Sequence, residues 1–300
     1  MPTSPESELL RALYQDWSNI MSADHNLDVR LFRSIFDEWH QPTREPENVT
    51  YKEEAIGGVE AIWCLPIGAN PDEVLLYTHG GGFAVGSASS HRKLAAHVAK
   101  ALGTNAVVID YRRSPEHPFP AQIDDTVAVY KALLSQGIEA KNITTIGDSA
   151  GGNLAVSAVL KLRDEGVELP GHVVAFSPFL DQEQVGETLT TNNDTDALIT
   201  IPLLQGMSAM LLGDTGADPK NPLVNPLYGD FTVFPKLYVT AGSVESLLDN
   251  ATDLAGRARR DGADVTLSVA EGMQHVYPFL AGRAPEADEE IHKLAAWYRS

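Results

Sequence analysis

A serine between glycines, in Gly147-Asp-Ser-Ala-Gly151, stands where the β-branched run Ile143-Thr-Thr-Ile146 gives way to a helical apolar pattern through Leu154, Val156, Ala158, Val159 and Leu162. That context predicts a strand, a tight turn and a helix, with the Ser149 hydroxyl at the apex. The two glycines suit the crowding of such a turn, and the helix N-terminus favours a developing anion. A serine placed this way can attack a carbonyl carbon. It then needs a base, an acid to orient the base, and N–H donors for the oxyanion.

The donors are the first requirement met. His79-Gly80-Gly81-Gly82-Phe83 follows the apolar run Val74–Thr78 directly. Three residues without Cβ let backbone N–H groups crowd against a ligand oxygen. Gly81, Gly82 and Ala150, the residue after the serine, are the expected oxyanion donors. After Ser149 the histidines are His172, His275 and His292. His172 precedes a strand on what should be the opposite edge, and His292 lies inside a helix. His275, in Glu271-Gly-Met-Gln-His-Val276, follows the last strand, where an exposed imidazole can reach back to the serine. The acid is expected between these two in chain order, after the strand Lys236–Thr240. Two carboxylates stand there. Glu245 comes first and is taken as the acid, with Asp249 one helical turn further on as its rival. Phe83 and Asp148, next to the oxyanion glycines and the serine, are expected to contact the substrate.

Elements must hold these groups. Short buried runs at Val74–Thr78, Asn105–Asp110, Ile143–Asp148, Val173–Ser177, Lys236–Thr240 and Val265–Val269 alternate with helical stretches at 91–102, 121–135, 150–165 and 286–299. Strands alternating with helices predict an α/β fold, a mostly parallel central sheet covered on both faces. A hairpin precedes them, turned by Gly57-Gly58. Ahead of it, Leu9, Leu10, Leu13, Trp17 and Ile20, then Leu27, Leu31, Phe32, Ile35, Phe36 and Trp39, fall on the apolar faces of two helices. Packing against the core edge and a lid over the site account for those helices equally well. The alternation fails between Asp181 and Phe234, too long for an ordinary connection, and an insertion capping the strand ends is expected there.

Composition sets the class. Three hundred residues suit one large α/β domain or two small ones, and 22 Lys plus Arg against 41 Asp plus Glu leave a formal charge of −19. That balance argues against nucleic acid and anionic membranes as partners, while a neutral substrate is unaffected. The single cysteine, Cys64, excludes an internal disulfide and is expected to be buried packing. No basic leader and no run of about 20 apolar residues occurs, so the expected location is cytoplasmic, with no membrane span.

His79-Gly-Gly-Gly-Phe83, Asp110-Tyr-Arg-Arg-Ser-Pro-Glu-His-Pro-Phe-Pro-Ala121, Gly147-Asp-Ser-Ala-Gly-Gly-Asn-Leu154, Ser177-Pro178 and Gly272-Met-Gln-His275 together resemble the hormone-sensitive-lipase-like branch of the α/β-hydrolases. The resemblance runs from about Val74 to the C-terminus. It implies an α/β-hydrolase fold and carboxylic-ester hydrolysis with no cofactor; the sequence itself offers no metal-ligand cluster, so no metal is expected. It also implies that the N-terminal helices form a cap, here residues 1–45, over a catalytic domain 46–300 with an insertion at about 182–230. The branch normally carries Asp in Asp-Pro-Leu where this chain has Glu245-Ser246-Leu247, and His-Gly-Phe where it has His275-Val276-Tyr277. The expected function is a serine carboxylesterase acting on small to medium esters through an acyl-enzyme. A lactonase with the same triad is the alternative, and a non-catalytic receptor of the same fold a more distant one. The partner is then a small-molecule ester, with a homodimer as a possible assembly.

Overall fold

The computed structural model describes residues 3–23 and 28–300, so Met1, Pro2 and the expected face residue Leu27 lie outside the described residues. Two helices come first, α1 (Glu8–Ala23) and α2 (Val29–Asp37), the second started by the Asp28 side chain accepting from the Arg30 and Leu31 N–H groups. Their apolar stripes bury Leu10, Tyr14, Trp17, Phe32, Ile35 and Phe36. Trp17, Phe36 and Trp39 form an aromatic knot with centroids 5.0–5.8 Å apart.

The sheet then begins with β1 (Val49–Glu53) and β2 (Ala61–Pro66), an antiparallel pair. Gly57 and Gly58 turn between them with φ of 60° and 85°, and Ile56 and Val59 exchange both backbone hydrogen bonds. Two consecutive positive φ angles define a turn that only glycine adopts cheaply. The remaining elements are β3 (Asn70–Thr78), α3 (Ala88–Leu102), β4 (Thr104–Ile109), α4 (Ala121–Ser135), β5 (Ile143–Asp148), α5 (Ala150–Asp164) and β6 (His172–Phe176). After these come α6 (Thr188–Thr191), α7 (Ile201–Leu212), β7 (Lys236–Gly242), α8 (Leu248–Arg260), β8 (Val265–Ala270) and α9 (Pro285–Tyr298). The eight strands lie in the order β1-β2-β4-β3-β5-β6-β7-β8, parallel from β4 through β8.

Every residue of β5 is buried, as a central strand with both faces covered must be. From β3 the chain steps outward to β4 and then returns to pair β5 on β3's other side. That reversal opens a crevice beyond the strand C-termini between β3 and β5. The glycines expected to serve an oxyanion follow β3 and the serine follows β5, so topology brings both to the crevice. The interval from Asp181 to Phe234 holds two α-helices, the short α6 and the longer α7, and a 3-10 turn at Pro226–Tyr228. Strand β7 runs two residues beyond Thr240, which brings its end closer to Glu245.

Candidate active site

Ser149 closes β5 and precedes α5, with φ 52° and ψ −119°. Side-chain-bearing residues rarely adopt that conformation, which costs about 1–3 kcal/mol. The strain is held by neighbours: its N–H donates to the Phe176 carbonyl (2.9 Å), and its own carbonyl accepts from Phe179 N (2.9 Å). A serine starting a helix usually spends its hydroxyl on a capping bond. Ser149 makes no such bond, so its Oγ is left for chemistry. Among the described residues, seven non-glycines have positive φ, and four of them surround this point: Phe83, Ser149, Ser177 and Val276. A β-branched residue such as Val276 at φ 50° is a marked outlier, and such outliers gather where geometry serves chemistry.

His275 and Glu245 are both fully buried, and the His275 Nδ1 lies 2.7 Å from Glu245 Oε2. A carboxylate only accepts, so Nδ1 carries the proton and Nε2 presents its lone pair. That Nε2 is buried with no hydrogen-bond partner among the described residues. The other carboxylate oxygen, Oε1, accepts from Gly242 N (2.9 Å). Burial pulls the imidazole down, but the Glu245 bond and charge, with Asp196 and Asp148 behind them, outweigh it and hold His275 above its ordinary value. The loop carrying His275 is drawn back across β7, because Val276 N donates to Ser177 Oγ (3.0 Å). Ser177 neighbours Phe176, whose carbonyl holds Ser149, so one short segment fixes both the serine and the His275 loop.

The glycine loop after β3 turns at Gly81, whose carbonyl accepts from Ala84 N (3.0 Å) and Val85 N (2.9 Å). Gly82 has φ 57°, and a Cβ there would collide with the thioether of Met207 on α7. The insertion therefore packs directly on the glycines. Ala150 opens α5, and N–H groups of a first helical turn lack intrahelical partners. Phe83 is 2% exposed, its ring 6.3 Å from that of Phe179.

Asp148, expected against the substrate, turns inward instead. It is fully buried, and Oδ1 accepts from Tyr77 Oη (2.7 Å) and Gly80 N (3.2 Å), while Oδ2 lies 3.3 Å from His91 Nε2. Its carboxylate is the floor under the glycine loop. Asp249 also has other work: Oδ2 accepts from Thr188 N (2.7 Å), pinning the start of α6. His172 packs at a tilt against Tyr298, centroids 4.8 Å apart, at the N-terminal end of β6, away from the crevice. Cys64 is buried, its thiol pushed up to about 12 by burial. Among the described residues no group of three or more His, Cys, Asp or Glu is placed to hold a metal ion.

Three contacts had no sequence signal. The Tyr14 hydroxyl of α1 donates to the His275 carbonyl (3.0 Å) and accepts from Trp39 Nε1 (3.1 Å). Arg33 of α2 donates to the carbonyls of Ala84 (2.9 Å) and Ser114 (3.0 Å) and pairs with Glu116, whose carboxyl it pushes down to about 2. Gln274 grips the insertion, accepting from Ala197 N and donating to the Thr195 carbonyl, both at 2.8 Å. The N-terminal helices thus brace the segment after Gly82 and the loop that carries His275.

An eight-stranded, mostly parallel sheet with a strained serine after β5 and an acid–histidine pair after β7 and β8 defines an α/β hydrolase. The α/β-hydrolase-fold family model matches residues 75–279, and the chain belongs to that family. It is 36% identical to an acetyl-hydrolase of Streptomyces hygroscopicus, over 99% of this chain and 97% of the relative. It is 34% identical to an esterase of Acinetobacter venetianus over 77% and 76% of the two chains. Among solved structures, an esterase of the bacterial hormone-sensitive lipase family superposes with a TM-score of 0.93 at 35% identity, covering 100% of this chain and 99% of that one. Within the α/β-hydrolases, then, the chain sits with these bacterial hormone-sensitive-lipase-type esterases and is a carboxylic-ester hydrolase.

Proposed function

We propose that the chain is a serine carboxylesterase for small to medium esters, working through an acyl-enzyme on Ser149. The observation that carries this reading is the buried Glu245–His275 pair with its unpartnered Nε2, tied through Ser177 to the strained serine. Nε2 takes the Ser149 proton as Oγ bonds to the ester carbonyl carbon. The N–H groups of Gly81, Gly82 and Ala150 receive the oxyanion, and one such donor is typically worth about 3–4 kcal/mol. The intermediate collapses, the C–O bond to the alcohol breaks, and the alkoxide leaves with the proton from His275. Water then gives a proton to Nε2 and attacks the acyl carbon, and the acid departs as Oγ regains its proton. Glu245 keeps the imidazole in the required tautomer and stabilises its cation.

Met207 against Gly82 and Phe83 against Phe179 leave little room beside the glycines, and an acetyl-hydrolase is a full-length relative, so short acyl groups fit best. A lactone would pass through the same steps, with acid and alcohol released as one product. Ser149→Ala should lower kcat about 10⁶-fold on p-nitrophenyl acetate while circular dichroism is unchanged. Mass spectrometry after an organophosphonate should place the adduct on Ser149. Mutant turnover above a few per cent of wild type would end the proposal, and parallel rates on linear and cyclic esters sort esterase from lactonase.

A further inference from the structure

The peptide joining Glu245 to Ser246 is gripped at both of its polar groups by side chains of the insertion. Its carbonyl accepts from Asn192 Nδ2 (2.9 Å), and its N–H donates to Asp196 Oδ2 (2.7 Å). The Asp196 Oδ1 accepts from the N–H groups of Leu198 and Ile199, both at 2.9 Å, and the residue is 8% exposed. Gln274, which precedes the base, holds the peptides on either side of Asp196 through Thr195 and Ala197. A closed clasp results: the insertion holds the acid, and the residue before the base holds the insertion. A carboxylate served by three N–H donors lies between them, in a region where few charges are tolerated without a purpose.

Resting on the triad reading above, we propose that Asp196 is a positioning residue for the Glu245–His275 pair. It fixes the peptide that aims Glu245 and places a second negative charge behind the imidazole. A peg that merely kept the insertion folded would need only the acceptor function. The ionisable and charged groups acting on His275 are Glu245 after β7, Asp196 in the insertion and Asp148 at the end of β5, with Tyr14 of α1 on its carbonyl. The three carboxylates all favour the protonated imidazole, so removing Asp196 makes the cation harder to form. Activity then survives to lower pH, while the transition state, which holds that cation, is less stabilised.

The test compares wild type, Asp196→Asn and Asp196→Ser on p-nitrophenyl acetate across pH, with site concentrations set by organophosphonate titration. Asn keeps an acceptor for Leu198 and Ile199 but turns an N–H donor toward Ser246 N. Loss of one charge-assisted hydrogen bond predicts about a tenfold fall in kcat, KM within about threefold, and an acid limb moved to lower pH. Unchanged kcat, a loss confined to KM, or a fall in kcat with the limb unmoved would each overturn the assignment. Failure of both variants to fold by circular dichroism would also overturn it, since the residue would then be a folding peg. Ser149→Ala and Glu245→Gln, run alongside, judge the triad itself, so the two ideas fail separately.

Discussion

Glu245→Gln exchanges one oxygen for an amide and leaves the volume of the site intact. In the structure the carboxylate serves two donors, Gly242 N at 2.9 Å on Oε1 and His275 Nδ1 at 2.7 Å on Oε2. Glutamine has a single oxygen for them. If that oxygen faces Gly242, the amide NH₂ faces Nδ1, the imidazole proton moves to Nε2, and the base is lost. If it faces His275, two N–H groups oppose each other in a fully buried site, at a cost of about 1–3 kcal/mol. In either orientation the negative charge that stabilises the imidazolium is gone. The lost charge-assisted bond alone accounts for about 10–10² in rate, and the wrong tautomer raises this to about 10⁴. The expected fall in kcat is therefore about 10²–10⁴. Asp249→Asn keeps an acceptor for Thr188 N and should change kcat by less than about tenfold, as for a charge in the first turn of α8. Both variants would be measured side by side on p-nitrophenyl acetate, with circular dichroism to verify folding. A folded Glu245→Gln within tenfold of wild type refutes this reasoning. Collapse of Asp249→Asn instead would move the acid there.

His275 is held above its ordinary value, so kcat/KM should be full at high pH and fall as pH drops through a limb lying above that of a free imidazole. A folded enzyme with a flat profile to about pH 5 would contradict a histidine base. Tyr14→Phe leaves the His275 carbonyl and Trp39 Nε1 without partners, so it should cost about 1–3 kcal/mol in thermal unfolding and lower kcat several-fold; an unchanged enzyme would show the brace to be idle. Arg33→Ala releases the carbonyls of Ala84 and Ser114 beside the oxyanion loop and should lower both Tm and kcat, as scanning calorimetry and steady-state rates would report.

The serine turn, the three glycines and the strand–helix alternation were legible because each depends on residues close together in the chain. The same locality misled at Asp148. It neighbours the nucleophile in sequence, yet it ends a strand whose successive side chains point to opposite faces, so the serine emerges and the aspartate goes under. The apolar faces of α1 and α2 were visible, and with them the aromatic residues that pack. The hydroxyl of Tyr14 was not, because an apolar stripe says where a ring lies and nothing about what its polar tip meets. Asp196 sat in a polar run indistinguishable from a solvated loop. Its burial follows only once the insertion folds over residues 243–246 and 274, a contact no local pattern announces.

The hydrogen bonds that join the two ends of the chain bear on how an active molecule is made. Ser4 N to Glu286, Tyr14 to the His275 carbonyl and Thr43 to the Phe279 carbonyl span 282, 261 and 236 residues. Closing a loop of that size costs about 5 kcal/mol in chain entropy, recovered only when many contacts form together. Synthesis runs from the N-terminus, so Ser149 and its oxyanion loop emerge well before His275 and the segment that anchors α1. On the proposed triad, a nascent or C-terminally clipped chain therefore carries a nucleophile with no base to deprotonate it. Hydrolytic capacity arrives only with the last tenth of the polypeptide, and losing that stretch disarms everything made before it.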